Sequence, residues 1–255
     1  MIRFSNLRLG YGDRTLIDNL SGEVAAGALT ALVGRNGTGK STLLRAIAGI
    51  GERFEGRIEL CGKDLTTLSS SEMATRVAFV TTDKVRIANL RCRDVVALGR
   101  APYTNWIGRQ QAHDEAIVSE ALASVGMSDY ADKTMDKMSD GECQRIMIAR
   151  ALAQQTPIIL LDEPTAFLDM PNRYELCSLL SRLAHDEHKC IIFSTHELDI
   201  ALELCDAVAL IAPPEVHILP TDEMIQSGHI ERLFSSDIIS FNPATRTVKL
   251  KSQQP

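Results

Sequence analysis

The run Gly34-Arg35-Asn36-Gly37-Thr38-Gly39-Lys40-Ser41-Thr42 matches the pattern G-x-x-x-x-G-K-[ST] of a phosphate-binding loop. Its glycines let backbone N–H groups converge on phosphate oxygens, and a helix beginning near Lys40 directs its positive dipole end to the same place. We expect the Lys40 ammonium to reach the β- and γ-phosphates of a nucleotide and the Ser41 hydroxyl to ligate Mg²⁺.

The residues on either side of this loop supply the context that the motif requires. An apolar run over 28–33 precedes it and predicts a strand, and a helical pattern over 42–48 follows it. A phosphate-binding loop of this type joins a strand to a helix, whereas a simple glycine-rich turn needs neither neighbour. The context therefore favours a nucleotide-binding loop.

Two further apolar runs end in residues that can perform chemistry. Residues 157–161 predict a parallel strand covered on both faces, and this strand ends at Asp162 and Glu163. Successive side chains at a strand end point in opposite directions, so one carboxylate can hold a metal while the other activates water. A second apolar run over 191–195 delivers His196 to a strand end, where open α/β sheets bind ligands.

Composition limits the classes of protein that fit. The chain has 255 residues, 45% of them hydrophobic and 24% charged, as is usual for a globular protein. A net charge of −6 argues against nucleic acid as a main partner. No apolar run approaches the ~20 residues of a membrane helix, and we expect no signal peptide. Cysteines without C-x-x-C spacing predict reduced thiols of a cytosolic protein.

The order of the elements divides the chain into a core and an inserted lobe. Strand signals dominate the first 62 residues, and a short helix from Ser69 and a strand over 76–80 follow. Between about 83 and 150 they give way to helical periodicity. Beyond that lobe, Pro213-Pro214 predicts a turn into a strand over 215–219, and two short helices and a last strand over 247–250 complete the expected order.

The motifs and their order resemble the ATP-binding cassette (ABC) ATPase family over nearly the whole chain. Residues Met138-Ser139-Asp140-Gly141-Glu142 stand where the family has its Leu-Ser-Gly-Gly-Gln signature. Residues 161–165 correspond to the Walker B run, 166–169 to the D-loop and His196 to the switch histidine.

The resemblance implies an α/β fold of defined organisation. We expect a P-loop NTPase (RecA-like) core with an N-terminal antiparallel β subdomain, formed by residues 1–82 and 151–255. An α-helical subdomain that carries the signature is expected over 83–150, so that the whole chain forms one ABC ATPase domain.

The family pattern also implies which residues bind the nucleotide. Tyr11 stands where family members stack an aromatic ring on adenine, although such a ring near a strand end is otherwise most often part of a core. In the family, each signature acts on the nucleotide held by a second cassette, so the active unit is expected to be a homodimer. The implied ATP-binding residues are Tyr11, Gly34, Asn36, Gly37, Thr38, Gly39, Lys40, Ser41, Thr42, Ser139, Gly141, Glu142 and Asp169.

Carried over in the same way, the catalytic roles fall to the strand-end residues. Glu163 is expected to deprotonate the attacking water and His196 to contact the γ-phosphate. Asp162 and Ser41 are expected to hold Mg²⁺, with Thr82 as a third candidate ligand. Asp169 is expected to link the two sites across the dimer.

Three positions depart from the family pattern. Thr82 replaces the Q-loop glutamine, and either a water bridges its shorter side chain to the metal or the Asp83 carboxylate serves as a surrogate ligand. Asp140 replaces the first glycine of the signature, which requires its side chain to point away from phosphate. Cys143 takes a position that is often basic, and we expect a packed surface thiol.

Residues 95–103, followed by Gly108-Arg109, resemble the corresponding segment of importers for iron–siderophore chelates, haem and cobalamin. The implied partners are integral-membrane permease subunits and, indirectly, a substrate-binding protein, at the cytoplasmic face of the inner membrane. Tyr103 and Trp106 are expected either to meet a permease or to cover the lobe's own core. An ABC ATPase for another substrate, an exporter subunit and a non-transport ABC ATPase are the alternatives, whereas a P-loop kinase would lack the signature.

Overall fold

The computed structural model of the protein describes residues 1–12, 14–51, 54–83, 88–104, 112–236 and 238–250, with the backbone alone for Tyr11 and Ala112. Its strands are β1 (Ile2–Tyr11), β2 (Arg14–Val24), β3 (Ala28–Gly34), β4 (Glu55–Leu60), β5 (Lys63–Asp64), β6 (Val77–Val80), β7 (Ile158–Leu161), β8 (Cys190–Thr195), β9 (Ala207–Ala212), β10 (Glu215–Pro220), β11 (Ile239–Asn242) and β12 (Thr247–Leu250). Its helices are α1 (Lys40–Ile47), α2 (Ser70–Ala74), α3 (Cys92–Ala97), α4 (Ala112–Ser124), α5 (Asp140–Ala153), α6 (Met170–Asp186), α7 (Leu198–Leu204), α8 (Thr221–Gln226) and α9 (His229–Phe234).

A central sheet carries the strands that lead into the candidate site residues. Its strand order is β10-β9-β3-β8-β7-β6, in which β10 pairs antiparallel with β9 and the other pairs are parallel. Strands β7 and β8 are buried along their whole length, as expected for apolar strands covered on both faces. Because these strands are parallel, the carboxyl ends of β3, β8, β7 and β6 lie along one edge of the sheet.

Alternate residues of the buried strands enter two different hydrophobic cores. On β7, Ile159 and Leu161 join a core that includes the lobe helices and α6, whereas Ile158 and Leu160 pack in a core with α1 and the second sheet. That second sheet is antiparallel, with the order β2-β1-β4-β5. A one-residue slip of β7 would exchange the two sets, so burial on both faces fixes its register.

A buried ion pair connects two helices of the inserted lobe. Arg100 donates from Nε to Asp114 Oδ1 (2.8 Å) and from Nη1 to the Ala153 carbonyl (2.9 Å), which joins α4 to the end of α5. Its guanidinium also lies 4.2 Å from the centre of the Tyr103 ring. The Tyr103 hydroxyl donates to the Gln154 carbonyl (2.9 Å), so this partly exposed ring is attached to the lobe. Trp106 and Gly108-Arg109 lie outside the described residues.

The structure confirms the α/β architecture with its antiparallel sheet and helical lobe. Helix α2 begins directly after Ser69, whose side chain forms a capping box with Glu72. Two expectations were wrong in detail. The strand β11, which the sequence analysis missed, pairs with β12 as a hairpin. Cys143 is buried because it lies on the face of α5 that packs into the core of the lobe. Among the described helices, none is long and apolar enough to cross a bilayer.

We expect loss of the buried ion pair to lower the free energy of unfolding far more than loss of an exposed ion pair in the same lobe. The side chains of Arg100 and Asp114 are 6% and 9% exposed, so Arg100→Met removes this cation from a buried carboxylate. Removing one partner of such a pair lowers the free energy of unfolding by about 3–5 kcal/mol. Urea unfolding followed by circular dichroism measures this loss.

The control variant is Arg93→Met, which removes the exposed ion pair with Asp132 (2.6 Å). An exposed pair contributes less than about 1 kcal/mol, so this variant is expected to unfold near the wild-type urea concentration. Equal losses in both variants would contradict the importance assigned to burial.

Candidate functional site

The phosphate-binding loop joins β3 to α1, and its backbone requires glycine at particular places. A Cβ on Gly34 would lie 2.7 Å from the Thr38 hydroxyl and 3.0 Å from the Ile211 carbonyl oxygen, so a side chain there would collide with the neighbouring strand. Gly39 has φ +105°, which side-chain-bearing residues rarely adopt. Lys40 begins α1, as the sequence predicted. The loop therefore presents its backbone at the N-terminus of a helix.

The Lys40 ammonium is buried and held inside its own loop. Its Nζ atom donates to the carbonyl oxygens of Gly34 (2.9 Å) and Arg35 (3.4 Å). Burial lowers the pKa of Lys40, and the nearby carboxylates of Glu163 and Asp162 act in the opposite direction. The cation and the two acidic side chains are thus close enough to interact electrostatically at the carboxyl edge of the sheet.

Asp162 is a buried carboxylate fixed by the strands on both sides of β7. Its Oδ1 atom accepts a hydrogen bond from the Ser194 hydroxyl at the end of β8 (2.6 Å). Its backbone carbonyl accepts one from the Thr82 hydroxyl just beyond β6 (3.0 Å). Both the side chain and the main chain of Asp162 are therefore constrained.

The backbone of Glu163 turns away from strand β7 in a conformation that residues other than glycine seldom adopt. Its φ of +48° is left-handed, which costs roughly 1–2 kcal/mol for a residue with a side chain. Its backbone N–H donates to the Ser194 hydroxyl (2.8 Å), and its Oε1 atom lies 2.5 Å from Nε2 of the partly exposed His196. The two predicted catalytic side chains are thus in direct contact.

The donor set fits a magnesium ion. Ser41 offers a hydroxyl at the start of α1, and Asp162 retains a second carboxylate oxygen besides the one bonded to Ser194. Thr82, the third candidate, lies beside Asp162 and uses its hydroxyl proton on the Asp162 carbonyl. Hard oxygen donors of this kind, combined with substrate phosphates, are what Mg²⁺ prefers.

The signature residues lie at the N-terminus of α5. Ser139 is the N-cap, accepting a hydrogen bond from the backbone N–H of Glu142 (3.3 Å), and its own N–H and hydroxyl donate to Glu142 Oε2 (both 2.8 Å). The bond from the Ser139 N–H is the main reason why the pKa of Glu142 is lowered. A Cβ on Gly141 would lie 3.2 Å from the Phe167 carbonyl oxygen, so its lack of a side chain lets α5 approach the D-loop.

Asp169, the last D-loop residue, is the N-cap of α6. Its carboxylate accepts hydrogen bonds from the backbone and side-chain amides of Asn172. The side-chain oxygen Oδ1 of Asn172 accepts a further bond from Arg145 on α5, and Arg145 also donates to the backbone carbonyl of Val125 (3.1 Å) beyond α4. A continuous chain of polar contacts therefore connects the D-loop to the signature helix.

Ser194 and Arg145 are site residues that no sequence motif predicted. Ser194 could have been noticed because a hydroxyl interrupts an apolar buried run directly before Thr195 and His196. Arg145 follows the signature by one helical turn, but its partners on α6 depend on packing that no local pattern records. Tyr11 pairs with Arg14 through its backbone, and its side chain lies outside the described residues.

Comparison with known proteins agrees with this geometry. Residues 17–166 match the profile of the family described as ABC transporter. The chain is 37% identical over 240 residues to an uncharacterized ABC transporter ATP-binding protein of Methanocaldococcus jannaschii, covering 94% of this chain and 80% of that protein. It is 35% identical to the probable siderophore transport system ATP-binding protein YusV of Bacillus subtilis (92% and 86% covered). It is 34% identical to the ferric enterobactin transport ATP-binding protein FepC of Escherichia coli (91% and 86%).

Solved structures show the same relationship. A metal-chelate type ABC transporter in an inward-facing conformation superposes with a TM-score of 0.80 at 28% identity, covering 91% of this chain and 88% of that one. A dimeric bacterial ABC transporter cassette superposes with a TM-score of 0.75 at 25% identity, covering 87% and 99%. The family profile matches more than half of the chain, and the chain covers most of the length of these relatives. This protein therefore belongs to the ABC transporter family.

Proposed function

We propose that this chain is the ATP-binding and ATP-hydrolysing subunit of an importer that takes up an iron–siderophore, haem or cobalamin-type chelate through separate permease subunits. The observation that carries the hydrolytic part is the contact of Glu163 with His196, next to Asp162, at the carboxyl edge of the sheet where β3 leads into the loop of Lys40. The chelate class is supported by relatives named for siderophore, enterobactin and cobalamin transport.

Hydrolysis follows from the chemistry of the side chains at this edge. Lys40 would exchange its carbonyl partners for the β- and γ-phosphate oxygens of ATP. Mg²⁺ held by Ser41 and Asp162 would neutralise charge on those oxygens. Glu163 would accept the proton of the attacking water, and His196, already in contact with Glu163, would orient that carboxylate and bond to the γ-phosphate.

A second copy of the chain would complete each site. The signature at the start of α5 would face the nucleotide of the partner, so that ATP joins two cassettes and its hydrolysis releases them. The homodimer would contact permease subunits at the cytoplasmic face of the inner membrane, and a substrate-binding protein would deliver the chelate from the other side. The superposition on a dimeric cassette supports this arrangement.

We expect the rate of ATP hydrolysis to rise more than linearly with protein concentration, because each site needs residues from two chains. A phosphate-release assay with Mg²⁺ and saturating ATP, run beside light scattering, measures this dependence. Strict proportionality throughout the concentration range in which the protein is monomeric would exclude a shared site.

Glu163→Gln should retain ATP binding, lose turnover and accumulate an ATP-bound dimer, because the amide keeps the shape of the carboxylate but cannot accept the proton. Losing a general base lowers the rate by about 10²–10⁴-fold. Single-turnover hydrolysis and size-exclusion chromatography with ATP report the two effects. Glu120→Gln, the same change at an exposed position on α4, is the control. Hydrolysis by Glu163→Gln at a near wild-type rate would place the base elsewhere.

The substrate class can be tested in cells. Disruption of the gene should abolish uptake of radiolabelled ferric siderophore, haem or cobalamin, and the wild-type gene should restore it while Glu163→Gln does not. Uptake measured separately for each chelate identifies the substrate. Unchanged uptake of all three, with ATP hydrolysis by the purified protein intact, would refute the chelate assignment but not the ATPase.

A further inference from the structure

We propose that Ser194 and Thr82 are positioning residues that clamp the single peptide unit between Asp162 and Glu163. The inference rests on the proposed ATP hydrolysis and assigns to two hydroxyl groups the task of aiming both carboxylates. Thr82 donates to the carbonyl oxygen of this peptide (3.0 Å), and Ser194 accepts from its N–H (2.8 Å). The peptide is thus held at both polar ends by residues from the strands on either side.

The position of Ser194 follows from the register of the sheet. Leu161 on β7 pairs with Phe193 on β8, so the next residue on each strand, Asp162 and Ser194, lie opposite each other where the ladder ends. Beyond that point the N–H of Glu163 has no strand partner, and a buried unpaired N–H is costly. The Ser194 hydroxyl takes the place of the missing backbone acceptor.

One hydroxyl performs two tasks that no apolar side chain could perform. The Ser194 oxygen accepts the Glu163 N–H while its proton goes to Asp162 Oδ1 (2.6 Å). Ser194 is completely buried, so bulk water does not compete for these two hydrogen bonds. The rotamer of Asp162 and the main chain of Glu163 are therefore set by the same atom.

The clamp also accounts for the strained backbone at Glu163. A left-handed φ of +48° turns the chain out of the strand and brings the Glu163 carboxylate to His196. Such conformations persist where the surroundings over-determine them. The two hydrogen bonds to the preceding peptide supply that restraint, so loss of either hydroxyl lets the general base move away from the water.

The test compares Ser194→Ala with Ser194→Thr, which keeps the hydroxyl. Loss of groups that orient a metal ligand costs about 10–100-fold in activity, and we expect kcat of Ser194→Ala to fall by that factor. Affinity for a fluorescent ATP analogue, measured without turnover, should change less than about threefold, because Lys40 and the loop are untouched. Ser194→Thr should recover most of kcat.

Thr30→Val is the matched control. Thr30 lies fully buried on the adjacent strand β3, and its hydroxyl has no hydrogen-bond partner among the described residues, so its removal should leave kcat unchanged. Thr82→Val, at a half-buried position, tests the other end of the clamp, with Thr82→Ser as its hydroxyl-retaining partner. Thermal melting of every variant confirms folding.

The outcomes separate this inference from the function on which it rests. If Thr30→Val hydrolyses ATP normally and both Ser194→Ala and Thr82→Val keep kcat within threefold of wild type, the clamp is refuted. A fall in kcat for Ser194→Ala that Ser194→Thr does not reverse refutes it as well, because space and not the hydroxyl would then matter. A wild-type protein that hydrolyses no ATP refutes the proposed function itself.

Discussion

The parallel register of β3, β8 and β7 is the constraint on which the rest of the site depends. Burial on both faces fixes each strand against slipping by one residue. Because the register is fixed, the residues directly after the strands always emerge at the same edge and in the same order. The phosphate-binding loop is thereby brought to the Asp162–Glu163 pair and to His196, which come more than a hundred residues later in the chain. Packing of the apolar side chains therefore fixes the positions of the polar residues at the site.

Charge balance at that edge explains why one buried cation and two carboxylates can coexist. Burial alone would drive Lys40 toward its neutral form, and the opposite charges of Glu163 and Asp162 counteract this. Carbonyl oxygens of its own loop accept hydrogen bonds from the ammonium, and in the proposed binding mode phosphate oxygens would replace them. Binding of a nucleotide in that mode would require no large movement of Lys40, because the ammonium would exchange its carbonyl oxygens for phosphate oxygens.

Much of this arrangement could be predicted from the sequence, because the informative patterns are local. The loop motif, the apolar strands and the acidic pair each require only a few consecutive residues, and their order along the chain identified the family. What escaped prediction depends on contacts between distant segments. The left-handed φ of Glu163 occurs with a hydrogen bond to Ser194 on a strand, 31 residues later, and Arg145 contacts Asn172 where α5 packs on α6. Strand β11 lacks a clear alternating pattern and forms through pairing with β12.

The signature residues hold a negative charge at the place where two copies closing around ATP would bring another, the γ-phosphate. Ser139 already donates its hydroxyl proton to Glu142, and that carboxylate, where the family has a neutral glutamine, has a lowered pKa and is ionised at neutral pH. A γ-phosphate brought to Ser139 would meet this negative charge. In the proposed dimer the capping box must therefore open, at a cost of about 1 kcal/mol for a helix N-cap. The positive end of the α5 dipole, freed from Glu142, would then face the phosphate. In the proposed dimer, one anion would thus replace another at the same helix end.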